Sequence, residues 1–494
     1  MTSDPNEDRL DRDWRQAFFR PQSVALVGAS ERSTWSRLTA SRFAMYQFRG
    51  RLFAVNTKGL QAHGLPAYRS CAEIPEPVDL AIIMVNASSV EDALRDVGAA
   101  GIANAVIISS GFSEIGHAGQ ALQDRLVEVA GECGVRFMGP NSLGFANIAA
   151  HLVATTIPAR QPLCIGSVGI VSQSGLLLSD LARFAHQQNI GLSTICAPGN
   201  AAMIDAIDVI EYMIDDAATR AILAYIEAEP DLDRFRAAAA RALAARKPIV
   251  VYKAGGSELS AATAKAHTGS VVGDDRVFDA MCREFGVIRA RSIEEMVTTG
   301  GLIEFTGALP PEKGVALLTI SGGAAVMYVN IAEHEGLPVP ALAVETLTAL
   351  RDTIPAFATP ANPMDITGGV FGKEEMWSNA IRALARDPAI GLVVTLLSVP
   401  ETESESKTMA PSWPHIVEGY RAAAMKGVVI DQILHPVTAF TQQFMGAWDD
   451  IKPICGLSLA TTALAHLHRW SQAVHGGHAA SMLSDTTEPS ACDL

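Results

Sequence analysis

Disulfide and zinc patterns are missing from this 494-residue chain, whose seven cysteines include no Cys-x-x-Cys pair. Neither a disulfide framework nor a zinc site is supported, and a reducing cytoplasm is the expected compartment. Long apolar runs are missing too: nothing approaches the roughly 18 uninterrupted apolar residues of a membrane span. The opening Met1 to Arg15 is polar and charged, without the apolar core of a signal peptide. Positive charge is in deficit, with 38 Lys and Arg against 53 Asp and Glu and a net charge of −15. That balance argues against a nucleic-acid-binding surface and leaves room only for local basic pockets. What remains is an ordinary globular composition leaning apolar, long enough for roughly three domains of ~150 residues.

Short β-branched runs alternate with Ala-rich helical stretches, the pattern of βαβ units and parallel sheets. The first set is Val24–Gly28, Leu52–Asn56, Leu80–Val85, Asn104–Ser110 and Arg136–Asn141, with helical spacing over Val90–Ala100 and Gly119–Cys133. A second set is Ser167–Ser172, Leu192–Ala197, Ala221–Glu227, Pro248–Ala254 and Val287–Ala290. After Pro310–Gly314 a third runs through Val315–Ser321, Leu337–Leu342, Gly391–Ser398, Gly427–Leu434 and Ile451–Gly456. The expected fold is α/β, three consecutive Rossmann- or flavodoxin-like parallel-sheet domains over 15–150, 160–306 and 311–472, with tails at 1–14 and 475–494.

Each set opens with a strand that runs into a small-residue turn: Gly28-Ala29-Ser30, Ser172-Gln173-Ser174-Gly175 and Ser321-Gly322-Gly323-Ala324. Helices starting in or just after such turns offer free N–H groups and a positive dipole end, and small side chains let a phosphate approach the backbone. Any α/β domain needs tight strand-to-helix turns, but three in register favour phosphate chemistry, with Ser174, Gly175, Gly322 and Gly323 as phosphate-binding residues. In the first domain a dinucleotide site would carry Gly-x-Gly-x-x-Gly and an acidic residue ending the second strand. Only Gly28 is present, and Lys58 follows the second strand, which suits a phosphate-bearing ligand and counts against NAD. The loops holding Ser110, Gly111 and Asn141 could complete the cleft; otherwise they are plain glycine-rich turns.

His267 lies in the small-residue loop Ala266-His267-Thr268-Gly269-Ser270, after an apolar strand, and another strand ends in Glu227. Strand ends of a parallel sheet face one crevice, so the two can meet. A carboxylate bonded to one imidazole nitrogen fixes the tautomer and leaves the other as a nucleophile. The alternative is a loop histidine with a structural hydrogen bond. Ser174 lacks the glycine of a hydrolase elbow before it. His466 and His468 alternate on a helical segment, so they point apart and form no metal site. The run Glu401 to Glu405 reads as a solvated loop.

Val24–Ser30, Val55–Gly59, Gly139–Gly144, Val171–Gly175 and Ala266–Ser270 occur in that order, and the chain resembles the α subunit of the NDP-forming acyl-CoA synthetases, relatives of succinyl-CoA synthetase. Thr319–Ala324 and Asn362–Asp365 extend the resemblance through the third domain, so that it covers about residues 15–470. The resemblance implies that the first domain binds coenzyme A through Gly28, Ala29, Ser30, Lys58, Ser110, Gly111 and Asn141. It implies that His267 is phosphorylated during turnover and that Glu227 steadies the phosphohistidine. It implies that a carboxylic acid is activated as an acyl phosphate, which the coenzyme A thiol attacks.

The chain departs from the family at Arg32-Ser33-Thr34-Trp35-Ser36, where another glycine is usual; Trp35 is placed to stack on an adenine. Thr57 and Asn86 stand where proline is frequent. Three domains consume the length and leave no ATP-grasp domain, so ATP or ADP with Mg is expected on a separate ATP-grasp β subunit. Alternatives are a coenzyme A transferase or acyl exchanger that needs no ATP, and a non-catalytic coenzyme-A-binding protein.

Overall fold

The computed structural model describes residues 14–156, 163–227, 230–256, 259–260, 275–409, 411–434 and 438–476. The chain divides into two compact units, one of Met1–Arg183 with Gly191–Met281 and one of Phe184–Ile190 with Cys282–Leu494.

The first unit holds the first two sheets. Strands β1 (Ser23–Val27), β2 (Arg51–Val55), β3 (Ala67–Tyr68), β4 (Leu80–Ile83), β5 (Asn104–Ile107) and β6 (Arg136–Met138) pair in the order β3-β2-β1-β4-β5-β6, all parallel. Every residue of β1, β4 and β5 is buried, as continuous apolar runs covered on both faces require. The helix Val90–Ala99 buries Val90, Leu94 and Val97, one stripe at helical spacing. The helix His117–Cys133 ends where Gly134 turns left-handed.

The second sheet is built from β7 (Gly144–Asn147), β8 (Leu152–Thr155), β9 (Ile165–Ser172), β10 (Leu192–Ala197), β11 (Ala221–Ile226) and β12 (Ile249–Lys253). Within this unit they run β12-β11-β9-β10-β7-β8. Strands β9 to β12 pair in parallel, but β7 and β8 form an antiparallel hairpin on the edge of β10. The sequence patterning missed that hairpin and the two-residue β3. By strand pairing the change of sheet falls between Met138 and Gly144, ahead of the expected boundary at 150.

In the second unit the short β13 (Ile288–Arg289) precedes the sheet of β14 (Gly314–Thr319), β15 (Met364–Asp365), β16 (Ile390–Leu396), β17 (Gly427–Asp431) and β18 (Ile451–Cys455). Its order is β15-β14-β16-β17-β18, again parallel. The expected strand Leu337–Leu342 is an extended connection instead. Pro338 and Pro340 have no N–H to give a ladder, and Met364–Asp365 takes the place beside β14. Glu403–Met409 is a short helix where a loop was expected. Trp14 and His475, placed in tails by composition, belong to helices at 14–19 and Leu457–His475. No helix among the described residues is long and apolar enough to cross a membrane.

The helices Ile293–Thr306 and Leu457–His475 pack through a polar network. His466 Nε2 lies 2.7 Å from Glu295 Oε1, and the Arg469 guanidinium reaches His466 Nδ1 at 2.9 Å. The Glu295 carboxyl sits below its usual range; its hydrogen bonds to His466 and Arg291 outweigh the opposing effect of burial. His468 is buried with no partner at Nδ1, and burial, with the charge of Arg469, pushes its imidazolium down from the ordinary 6.5. The unfolded chain therefore binds a proton that the folded one refuses. The linked stability is present above pH about 6.5 and falls as the pH drops from there toward the lower folded value. His468→Gln should flatten this limb: the loss in melting temperature between pH 7.5 and 5.5 should shrink relative to wild type in calorimetric melts.

Candidate functional site

The three small-residue turns share a topological position. The chain leaves β1 for β2 on one side and later fills β4 on the other; β9 is flanked in the same way by β10 and β11, and β14 by β15 and β16. Each turn therefore follows the strand at which the order reverses, where helices diverge and open a crevice at the carboxyl end of the sheet.

At the first crevice Gly28 adopts φ +87°, and a Cβ there would lie 2.7 Å from the Met84 carbonyl oxygen. The Gly28 and Ala29 amides donate to the Val55 carbonyl at 2.8 and 3.1 Å, and the Ser30 amide to Ser36 Oγ at 3.0 Å. These amides are engaged within the protein, and the helix begins only at Thr34, capped by Ser33. The helix expected within or just after this turn starts after it, with Glu31, Arg32 and Ser33 intervening between Ser30 and Thr34. Ser36 Oγ is 2.7 Å from His63 Nε2, and Glu31 accepts from the His63 amide at 2.6 Å. Trp35 is 49% exposed, open to a partner. Lys58 is exposed just after β2. The Asn56 side chain closes its turn, accepting from the Leu60 amide and donating to the Leu60 carbonyl. Arg69 was not anticipated: its side chain lies over Gly59, within 3.1 Å of where a Cβ would stand, and brings a second cation to the turn that holds Lys58.

Ser110 is exposed at the end of β5, and the Gly111 amide donates to Glu114 Oε1 at 2.5 Å. Asn141, at φ +57°, donates to Asn200 Oδ1 at 3.2 Å. Asn200 in turn donates to Glu114 at 2.6 Å and to Gln123 at 3.0 Å, and its amide donates to the Pro140 carbonyl at 2.9 Å. These bonds pull the Glu114 carboxyl below its usual range against the opposing effect of burial. The loop 199–202 of the second sheet is thereby locked onto the loops of the first. A separate concavity of about 780 Å³, lined by Trp14, Met203 and Arg136 among others, lies at the opposite end, where β5 and β6 begin.

At the second crevice the helix Gly175–Gln187 starts within the turn, as expected. Ser172 Oγ donates to the Ser174 carbonyl at 2.7 Å and accepts from the Ser174 amide at 3.2 Å. Glu227 emerges from β11 immediately beside this turn, its amide donating to Gln173 Oε1 at 2.6 Å. The Gln173 amide donates to the Tyr225 carbonyl at 3.1 Å. The Tyr225 ring stacks on Tyr252 with centroids 5.4 Å apart and 9° between planes. Burial and the nearby Glu227 carboxylate push the Tyr225 phenol up to about 12. The Lys253 side chain is fully buried at the end of β12, its ammonium 3.5 Å from Asp275 Oδ1 and 5.4 Å from the Phe278 ring centre. Sequence reasoning missed Gln173, Tyr225 and Lys253, although the first lies within a motif already singled out. His267 lies outside the described residues.

At the third crevice the helix Gly322–Glu335 begins in its turn, with Ser321 Oγ accepting from the Ala324 amide at 3.3 Å. Gly323 faces open space, and a Cβ on Gly322 would stand 3.1 Å from Asp365 Oδ2. Among the described residues no group of three or more His, Cys, Asp or Glu side chains is placed to hold a metal ion.

Three family models match in succession: a CoA binding domain over residues 22–148, a succinyl-CoA ligase-like flavodoxin domain over 165–303 and a ligase-CoA domain over 315–432. The α subunit of ADP-forming acetate–CoA ligase I from Pyrococcus furiosus is 36% identical over 388 residues, 77% of this chain and 82% of the relative. ADP-forming acetate–CoA ligase I of Archaeoglobus fulgidus is 36% identical over 385 residues, 78% of this chain, which spans only 55% of that relative. Among solved structures, dinucleotide-forming acetyl-coenzyme A synthetase 1 from Ca. Korarchaeum cryptofilum, in complex with phosphate and ADP, matches with a TM-score of 0.84 and 27% identity, over 96% of this chain and 99% of that one.

The lock between the first two sheets has one steric keystone. Gly199 adopts φ +69°, and a Cβ there would stand 2.5 Å from the Pro140 carbonyl oxygen. Gly199→Ala should destabilise the first unit by about 1–3 kcal/mol through left-handed strain and displacement of that carbonyl. Denaturant unfolding of the purified variant measures it, and an unchanged midpoint would show that the loop yields freely.

Proposed function

The chain belongs to the family of ADP-forming acyl-CoA synthetases built from succinyl-CoA-ligase-like domains, and on that premise we propose that it is an acid–thiol ligase component of α-subunit type. It forms acyl-CoA from a carboxylic acid, coenzyme A and ATP through an acyl phosphate and a phosphohistidine. ATP, with Mg, is held by an ATP-grasp β subunit. The observation that carries this reading is the coincidence of all three small-residue turns with strand-order reversals, one of them with Glu227 fastened beside it.

Coenzyme A takes the first crevice. Lys58 and Arg69 supply charge-assisted contacts to its phosphates, Gly28 allows close approach, Trp35 offers a stacking face, and Ser110, Gly111 and Asn141 border the thiol end. His267 is the phosphoryl carrier. Glu227 accepts a hydrogen bond from one ring N–H and leaves the other nitrogen to attack phosphorus. The helix starts at Ser174-Gly175 and Gly322-Gly323 cradle the phosphoryl oxygens with aligned amides rather than net positive charge. The high coverage of an α subunit supports a separate β partner.

With the β partner and labelled ATP, this chain should acquire acid-labile, base-stable label, and His267→Ala should abolish it while leaving coenzyme A binding intact. Label that persists in the variant would remove His267 from the mechanism. Thioester formation without ATP would favour the acyl exchanger.

Purified alone, the chain should bind coenzyme A without making acyl-CoA. In calorimetry Lys58→Ala should weaken that binding by about 1–3 kcal/mol, the scale of a hydrogen bond to a charged group. An unchanged Kd would take Lys58 out of the coenzyme A site.

A further inference from the structure

We infer that Gln173 and Tyr225 act as a two-point clip that positions Glu227, the first holding its backbone and the second its carboxylate. The inference rests on the role given to Glu227 above and adds two positioning residues to it.

Sheet register brings the parts together. Tyr225 is aligned with Ser172 on one side and Tyr252 on the other. Residues two apart on a strand point to the same face, so the Tyr225 and Glu227 side chains share one side of the sheet at the mouth of the crevice. Gln173 then spans the gap where the β9–β11 ladder ends. Its amide donates to the Tyr225 carbonyl at 3.1 Å, and its side-chain Oε1 accepts from the Glu227 amide at 2.6 Å. A side chain thus takes over the ladder two residues beyond Tyr225, the last residue paired with β9, and Glu227 is held after leaving β11. The same residue is in the phosphate turn, so the carboxylate is tied to the place where the phosphoryl group is to lie.

The second point is the phenol. The Tyr225 ring is fixed by parallel stacking on Tyr252, on the face of the sheet that Glu227 shares, and the nearby carboxylate adds to burial in pushing the phenol up to about 12. A phenol O–H donated to the carboxylate would occupy one of its lone pairs and leave the others for an imidazole N–H. A carboxylate on a strand end has free torsions, and losing its orientation costs rate far more than stability.

Tyr225→Phe keeps the ring stack and removes only the hydroxyl, while Gln173→Ala removes the backbone clamp. Single-turnover labelling with 32P-acetyl phosphate reads the chemistry. Tyr225→Phe should slow labelling by about tenfold in the wild-type background and by less than about twofold in Glu227→Gln, because interacting residues are non-additive. Equal slowing in both backgrounds would overturn the positioning role. Hydrogen exchange followed at single amides reads the clamp without any activity. In Gln173→Ala the Glu227 amide should exchange at least about tenfold faster, with the β11 amides unchanged. If that amide keeps its protection, the clip is wrong. If the wild type takes no label yet the exchange result holds, the proposed phosphoryl transfer fails while the clip stands.

Discussion

Everything at the functional edge depends on three central strands, β1, β9 and β14, each hydrogen-bonded on both sides by strands of the same direction. Parallel pairing forces each connection to cross back over the sheet. Where successive connections leave on opposite sides, no helix can cover the strand end. The uncovered end needs a turn whose own amides and carbonyls find partners. The protein solves this differently at each crevice: Val55 accepts from the first turn, Ser172 folds back on the second, and Ser321 caps the third.

These solutions sort the crevices by electrostatics. The first has side-chain cations on the loops after its outer strands, Lys58 and Arg69, in a chain that is acidic overall. The second turn itself has hydroxyl, amide and carboxylate groups, with a half-buried phenol pushed up to about 12 beside it and the one nearby cation described, Lys253, paired with Asp275. The phosphoryl charge proposed for that turn would meet fixed dipoles and a hydrogen-bonded frame. Such a frame needs little rearrangement when charge arrives and departs.

The strands that open each sheet were legible because buried parallel strands are continuous β-branched runs between glycine and polar punctuation. The turns were legible because each is rich in small residues directly after an apolar strand. What escaped the sequence depended on distant partners. The hairpin β7–β8 is recruited by β10, the two-residue β3 and β15 are strands only because β2 and β14 accept them, and Leu337–Leu342 looks like a strand until its prolines are counted. Arg69 and Gln173 have no signature of their own. One acts by lying over Gly59 and the other by spanning the end of a ladder, relations that exist only once the register is set.

The hairpin Gly144–Asn147 with Leu152–Thr155 has a consequence for how such proteins can be taken apart. It follows the last strand of the first sheet in the chain, yet it is the selvedge of the second. A gene cut at residue 150 would divide its two strands between fragments, exposing a raw edge on one and an orphan strand on the other. A fragment meant to keep either sheet whole must therefore break before Gly144, or carry both sheets together.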